Sequence, residues 1–244
     1  MKYIFGNWKM YLDYDESVDL ANKLSSEDLN TKDIQLGVFP SALAVKEVTD
    51  IMEKSSFIVG SQDVGFPSKG AYTGLVSAYM FKNVGCTHAL VGHSERRHIF
   101  GETNEDVRKK LEACIDEGLI PVLCIGETKE DKSAGKTQYR LKKQMMKALE
   151  GLDLNGSEFI IAYEPVWAIG TGDACLPQDS EDIMGWIKQE VQEYIKEDIP
   201  VLYGGSVSPD NAASYVLLDS VGGVLVGGAS AKADSFISLI QSIK

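Results

Sequence analysis

The chain has 244 residues, 44% of them hydrophobic and 25% charged, an ordinary globular balance that can bury a sizeable core without disulfides or metals. It carries 24 basic against 36 acidic residues, a net charge of −12. Such a surface repels nucleic acid, anionic membranes and phosphate esters, so a phosphate site would have to be made locally, from a positioned cation and backbone N–H groups.

The first residues, Met1-Lys2-Tyr3-Ile4-Phe5-Gly6, read as a strand at 3–7 rather than a signal peptide. No apolar run approaches the ~20 residues that span a bilayer, and a cytoplasmic location is expected. Asn7-Trp8-Lys9 follows the strand. A lysine there either snorkels to solvent or aims its ammonium across a pocket. An amphipathic stretch at 16–24 leads to a strand at 34–39, a helix at 43–54 and a strand at 57–61. After the helix at 76–83 and the strand at 88–91 comes Gly92-His93-Ser94-Glu95-Arg96-Arg97. His93 is read equally as a core histidine or a functional one, and Glu95, Arg96 and Arg97 as charges paired around a mouth. In the helix expected at 104–117, apolar residues fall at 107, 111, 114 and 115, with Asn104 as a candidate N-cap.

A strand at 120–125, a helix at 138–149 and a strand at 159–163 bring the chain to Glu164-Pro165-Val166-Trp167-Ala168-Ile169-Gly170-Thr171-Gly172. A glutamate ending an apolar strand is costly to desolvate, which predicts a role and a raised pKa. The segment behind it, stiffened by Pro165 and punctuated by glycine, has the composition of a hinged lid, although a plain surface loop has it too. A helix at 181–195 and a strand at 201–203 precede Gly204-Gly205-Ser206. A helix at 211–218 and a strand at 224–226 precede Gly227-Gly228, and a last helix spans 235–243. Paired glycines at two successive strand ends let backbone N–H groups approach an anion, or simply make tight turns.

Cys86, Cys114, Cys124 and Cys175 form no C-x-x-C pair and stand beside no histidine cluster. They read as reduced, buried or partly buried thiols, and no metal site is expected. Eight strands recur about every 32 residues, taking seven steps from residue 3 to residue 224. The expected fold is therefore α/β, a single-domain (βα)8 TIM barrel over residues 1–244. An open doubly wound sheet is the alternative, and it would usually carry a glycine-rich turn after its first strand.

Residues 6–10, 91–97, 162–172, 203–207 and 225–230 together resemble the triosephosphate isomerase family, in the family's order. The eleven contiguous residues 162–172 are the most specific part. The resemblance implies a cofactor-free isomerase that interconverts dihydroxyacetone phosphate and glyceraldehyde 3-phosphate. It assigns Glu164 as base, His93 as electrophile and proton shuttle, and Lys9 as the cation for phosphate and enediolate. Asn7 becomes a contact to the reacting oxygens and Glu95 the carboxylate that holds Lys9. Gly170, Ser206, Gly227 and Gly228 become phosphate contacts, with 165–175 as lid. The glutamate base and neutral histidine are the family's known pairing. The resemblance also implies a homodimer in which the loop 62–74 reaches the partner, Thr73 approaching its active site. Tyr11 stands where the family usually has Asn, Leu75 where it has Glu, and the far lid hinge reads Asp173-Ala174-Cys175. With Leu75 uncharged, Arg96 is expected to pair with Glu102 of its own chain. The other readings are a different barrel enzyme acting on a sugar phosphate, or a non-catalytic binder of a phosphate ligand.

Overall fold

The computed structural model describes residues 1–29, 32–154, 156–169 and 175–243. Eight parallel strands close in sequence order into a barrel, each hydrogen-bonded to the next and β8 back to β1. They are β1 (Lys2–Asn7), β2 (Ile34–Phe39), β3 (Phe57–Ser61), β4 (His88–Val91), β5 (Ile120–Ile125), β6 (Ile160–Tyr163), β7 (Val201–Tyr203) and β8 (Gly223–Val226). The runs expected from sequence match these within one residue at each end. Alternation within each strand builds two cores. Phe5, Phe39, Leu90, Val122, Ile160, Leu202 and Leu225 fill the barrel interior. Their neighbours, such as Ile4, Val38, Val91, Leu123 and Val224, face outward onto the helices. Burial on both faces explains why the strands read as continuous apolar runs.

The outer layer consists, among the described residues, of α1 (Tyr14–Ser26), α2 (Val45–Met52), α3 (Ala78–Asn83), α4 (Ser94–His98), α5 (Asn104–Asp116), α6 (Lys129–Ser133), α7 (Thr137–Leu149), α8 (Pro177–Val191), α9 (Ala212–Val216) and α10 (Ala233–Gln241). α4 and α6 were not expected from sequence. Each is five residues long and wholly polar, so no apolar period can show. The eighth helix begins four residues earlier than expected, because Pro177 needs no N–H partner in the first turn. The N-cap of α5 is Thr103 and not Asn104. The Thr103 hydroxyl accepts from the Asp106 N–H while the Asp106 carboxylate accepts from the Thr103 N–H, a reciprocal pair that Asn104 cannot form one residue later. Val107, Leu111 and Cys114 are buried as their spacing predicts.

The four cysteines are buried free thiols. Burial alone pushes Cys86 up to about 12, so it stays a thiol at any physiological pH.

Candidate active site

At the C-terminal mouth of the barrel lies a cavity of about 330 Å³ lined by Asn7, Lys9, His93, Glu164, Gly204, Ser206, Gly227 and Gly228, among others. These residues come from the ends of β1, β4, β6, β7 and β8, the end of a parallel barrel where βα loops converge.

Glu164 follows the last residue of β6 and is 2% exposed. Its backbone N–H donates to the Ile125 carbonyl at 2.7 Å. Two glycines make room for it. A Cβ on Gly126 would lie 1.8 Å from the Glu164 carbonyl oxygen, and one on Gly204 would lie 3.0 Å from Glu164 Cγ. The Glu164 carboxylate takes two contacts. Oε1 is 2.9 Å from His93 Nε2, and Oε2 accepts from the Ser94 N–H at 2.8 Å. His93 caps α4, its Nδ1 accepting from the Glu95 N–H at 3.2 Å. With Nδ1 an acceptor, the ring proton of the neutral imidazole sits on Nε2, pointing at Glu164.

This geometry corrects one expectation. Burial pushes the Glu164 carboxyl up, as expected. His93, the Ser94 N–H and Lys9 together pull it down further, so it lies below its ordinary value. The same contact works on His93: burial lowers it, but the Glu164 carboxylate outweighs burial and holds the imidazole above its ordinary value. Strand-end position predicts only the desolvation, whereas the two donors arrive from α4 across the barrel.

Lys9 has the left-handed backbone conformation, with φ of 49°. A non-glycine residue there is strained by roughly 1–3 kcal/mol and must be held by its surroundings. Its N–H donates to Asn7 Oδ1 at 2.9 Å and its carbonyl accepts from Gln62 Nε2 at 2.8 Å. The ammonium lies 2.7 Å from Glu95 Oε1. A Cβ on Gly227 would lie 3.3 Å from Lys9 Cε, so Lys9 extends along the β8 glycines. Of the two readings of this lysine, the structure places it across the cavity rather than out in solvent.

Ser206 lines the cavity, and its hydroxyl donates to the Ala168 carbonyl at 2.6 Å. This hydroxyl ties the β7 loop to the segment behind Glu164, a contact that its expected place on phosphate did not include. Gly170 and residues 171–174, including Asp173 and Ala174, lie outside the described residues. The segment's flanks are anchored on both sides. Trp167 Nε1 donates to Glu127 Oε1 at 2.7 Å, with Lys132 Nζ 3.3 Å from the Trp167 ring centroid. On the far side, the Cys175 N–H donates to the Tyr203 hydroxyl at 3.2 Å and its carbonyl accepts from the Tyr215 hydroxyl at 2.6 Å. Tyr203 and Tyr215 stack with centroids 4.2 Å apart.

Arg96 pairs with Glu102 of its own chain at 2.6 Å, as expected, and reaches Asp63 at 3.2 Å. Lys110 bonds the same two carboxylates. Sequence reading missed Gln62, Glu127, Asn211 and Tyr215, and Tyr11, noted only as a departure from the family, borders the cavity beside Gly228. Gln62 and Glu127 directly follow or nearly follow strand ends, the signal that could have flagged them. Tyr215 sits inside a helix and carries no such signal.

The sequence model of triosephosphate isomerase matches residues 2–243. The chain belongs to the triosephosphate isomerase family. It is 40% identical to the triosephosphate isomerase of Roseiflexus sp. (strain RS-1), covering 97% of this chain and 95% of that protein. It is 41% identical to that of Chlamydia muridarum (strain MoPn / Nigg), over 99% and 91%. A third relative, that of Dictyoglomus thermophilum, is 35% identical over 99% of both chains.

Proposed function

We infer that the chain interconverts dihydroxyacetone phosphate and D-glyceraldehyde 3-phosphate through an enediol(ate), as a step of glycolysis and gluconeogenesis. The observation that carries this reading is the meeting of Glu164, His93 and Lys9 in one cavity floored by the glycine pairs of β7 and β8. The base and the electrophile are both present, which a mere binder of phosphate would not need, and family membership speaks for the triose substrate over other sugar phosphates.

Glu164 removes a proton from the carbon next to the carbonyl and returns it to the neighbouring carbon. His93 turns its Nε2–H from Glu164 to the substrate oxygens, polarises the carbonyl and carries the proton between them. When that donor leaves Glu164, burial is opposed less and the carboxyl rises toward the value a base needs. Asn7 contacts the reacting oxygens. Lys9 offsets the phosphate and the developing enediolate in a chain whose net charge otherwise repels both, and Glu95 holds it in line. Ser206, Gly227, Gly228 and Gly170 take the phosphate. The segment 165–175 closes over the site and keeps water from an intermediate that would otherwise lose phosphate. The reaction calls for no cofactor or metal. A coupled assay of glyceraldehyde 3-phosphate turnover tests the reading. Wild type must turn over, and Glu164→Gln must lose at least ~10²-fold, the low end for a general base; an inactive wild type would refute the function, and an active Gln variant the assignment of the base.

The active form is a cytoplasmic homodimer in which Thr73 of one copy approaches the other's site. Met10, Tyr72, Leu75, Ile99 and Phe100 are exposed in the single chain, and covering apolar side chains contributes roughly 1.5–3 kcal/mol each, against about 0–1 for an exposed ion pair. Dimerisation should therefore depend little on salt, and Thr73→Arg should yield poorly active monomers. Analytical ultracentrifugation of wild type at micromolar concentration tests this: an active monomer, or a dimer that dissociates in high salt, would be incompatible with it. No helix among the described residues is long and apolar enough to cross a membrane.

A further inference from the structure

Away from the mouth, the acidic surface is broken by a cleft of about 370 Å³ between α7 and the segment that joins α4 to α5. Helix α7 places Arg140, Lys143 and Lys147 at i, i+3 and i+7, a single face, and all three line the cleft. Across from them stands Arg97. Its guanidinium donates to uncharged oxygens: the Gly92 carbonyl at 2.6 Å, Asn104 Oδ1 at 2.8 Å and the Cys124 carbonyl at 3.2 Å.

The charges do not cancel. Arg140 is held by both oxygens of Asp131, at 2.9 and 3.1 Å. Of the two carboxylates on the cleft, Glu102 is already engaged by Arg96 and Lys110, which leaves Glu105. Lys143, Lys147 and Arg97 form no ion pair among the described residues. Three cations thus face one free carboxylate in a concave site, on a chain of net charge −12. Like charges brought together repel, and a concave wall concentrates their field, so an anion between them relieves what the fold has assembled.

We propose that this cleft binds a small phosphate-bearing anion at a site separate from the catalytic cavity. Two lysines supply mobile point charges and Arg97 a planar fork that forms no ion pair among the described residues, a combination suited to phosphate oxygens. The enclosed volume fits a small molecule rather than an acidic peptide. Arg97 also connects the cleft to the catalytic backbone, since Gly92 precedes His93.

The histidines make the test direct. The chain has three: His88 in the barrel interior, held down to about 4 chiefly by burial, His93 in the catalytic cavity, and His98 on the cleft. Burial, then Arg97 and Arg140, hold His98 below its ordinary value, and an anion beside them should raise it. Side-chain NMR of the three rings is followed as the whole protein is titrated with pyrophosphate, chloride keeping the ionic strength constant. The expected result is a saturable shift of His98 with a rise in its titration midpoint, distinct from any response of His93 to binding in the catalytic cavity. In Lys143→Glu/Lys147→Glu the His98 response should need at least about tenfold more pyrophosphate, while turnover without pyrophosphate stays at the wild-type level. The milder Lys143→Gln/Lys147→Gln should fall between. A response confined to His93, a His98 shift that chloride alone reproduces, or unchanged affinity in the double variants would each overturn the proposal. Because His98 binding is read without turnover, its failure is distinguishable from failure of the isomerase reading.

Discussion

Gly126 ends the β5 edge against which the proposed base is laid, and substituting it with alanine tests how tightly that base is held. The added Cβ would stand 1.8 Å from the Glu164 carbonyl oxygen and 2.8 Å from its carbon. Both are backbone atoms, so no rotamer change relieves the contact. Reaching an ordinary 3.4 Å separation requires the two strand ends to part by about 1.6 Å. The bond that joins them there, Glu164 N–H to the Ile125 carbonyl at 2.7 Å, would be stretched well past hydrogen-bonding range. A displacement of about 1 Å at a catalytic group costs on the order of 10²-fold in rate. We therefore expect kcat to fall about 100-fold with KM changed much less, because Lys9 and the β7 and β8 glycines are not moved. The lost bond and residual strain should cost roughly 1–3 kcal/mol, which lowers Tm by roughly 2–12 °C in a chain of this size. Steady-state kinetics by coupled assay and a thermal melt measure both. Near wild-type kcat in a protein that melts normally would show that the Glu164 backbone is not located by this contact, and the reasoning would be wrong.

Other expectations follow from the same geometry. Glu164 is held below its ordinary value by His93 and the Ser94 N–H, so it contributes stability above the unfolded carboxylate value of about 4.3, lost as pH falls through the lower folded value. Removing the partner in His93→Gln should leave burial in control and move the acid limb of kcat/KM to higher pH; an acid limb that stays put would mean that His93 does not set the carboxyl. Lys110→Met leaves the partly buried carboxylates Asp63 and Glu102 with Arg96 alone. Breaking such a network should cost about 3 kcal/mol in urea unfolding, and a loss under 1 kcal/mol would contradict the pairing. Trp167→Phe takes away the donor at 2.7 Å from the buried Glu127, whose carboxyl burial already pushes up. It should weaken substrate binding more than folding, seen as a larger relative change in KM than in Tm, if this contact helps hold the lid flank.

How much of this was legible beforehand depends on the range of the cause. The eight strands and the barrel follow from local pattern, because burial on both faces forces continuous apolar runs and their regular spacing leaves few ways to close. Lys9, His93 and Glu164 were legible as candidates because each stands just past such a run, where a polar residue needs a reason, whereas Asn7, the last residue of β1, was named only through the family resemblance. The helices α4 and α6 were not, since five polar residues carry no apolar period. The Glu164 pKa was misread because a strand end reports desolvation, while the donors that reverse its effect belong to α4, seventy residues earlier in the chain. Separations of 40 to 53 residues likewise hide Gln62 under Lys9, Glu127 under Trp167 and Tyr215 beneath Cys175. The basic cleft is the extreme case: Arg97 and the lysines of α7 are ordinary charged residues along the chain. Only the packing of α7 against the start of α5 puts them around one cleft, because a charge acts through space and the order of residues records only what is adjacent along the backbone.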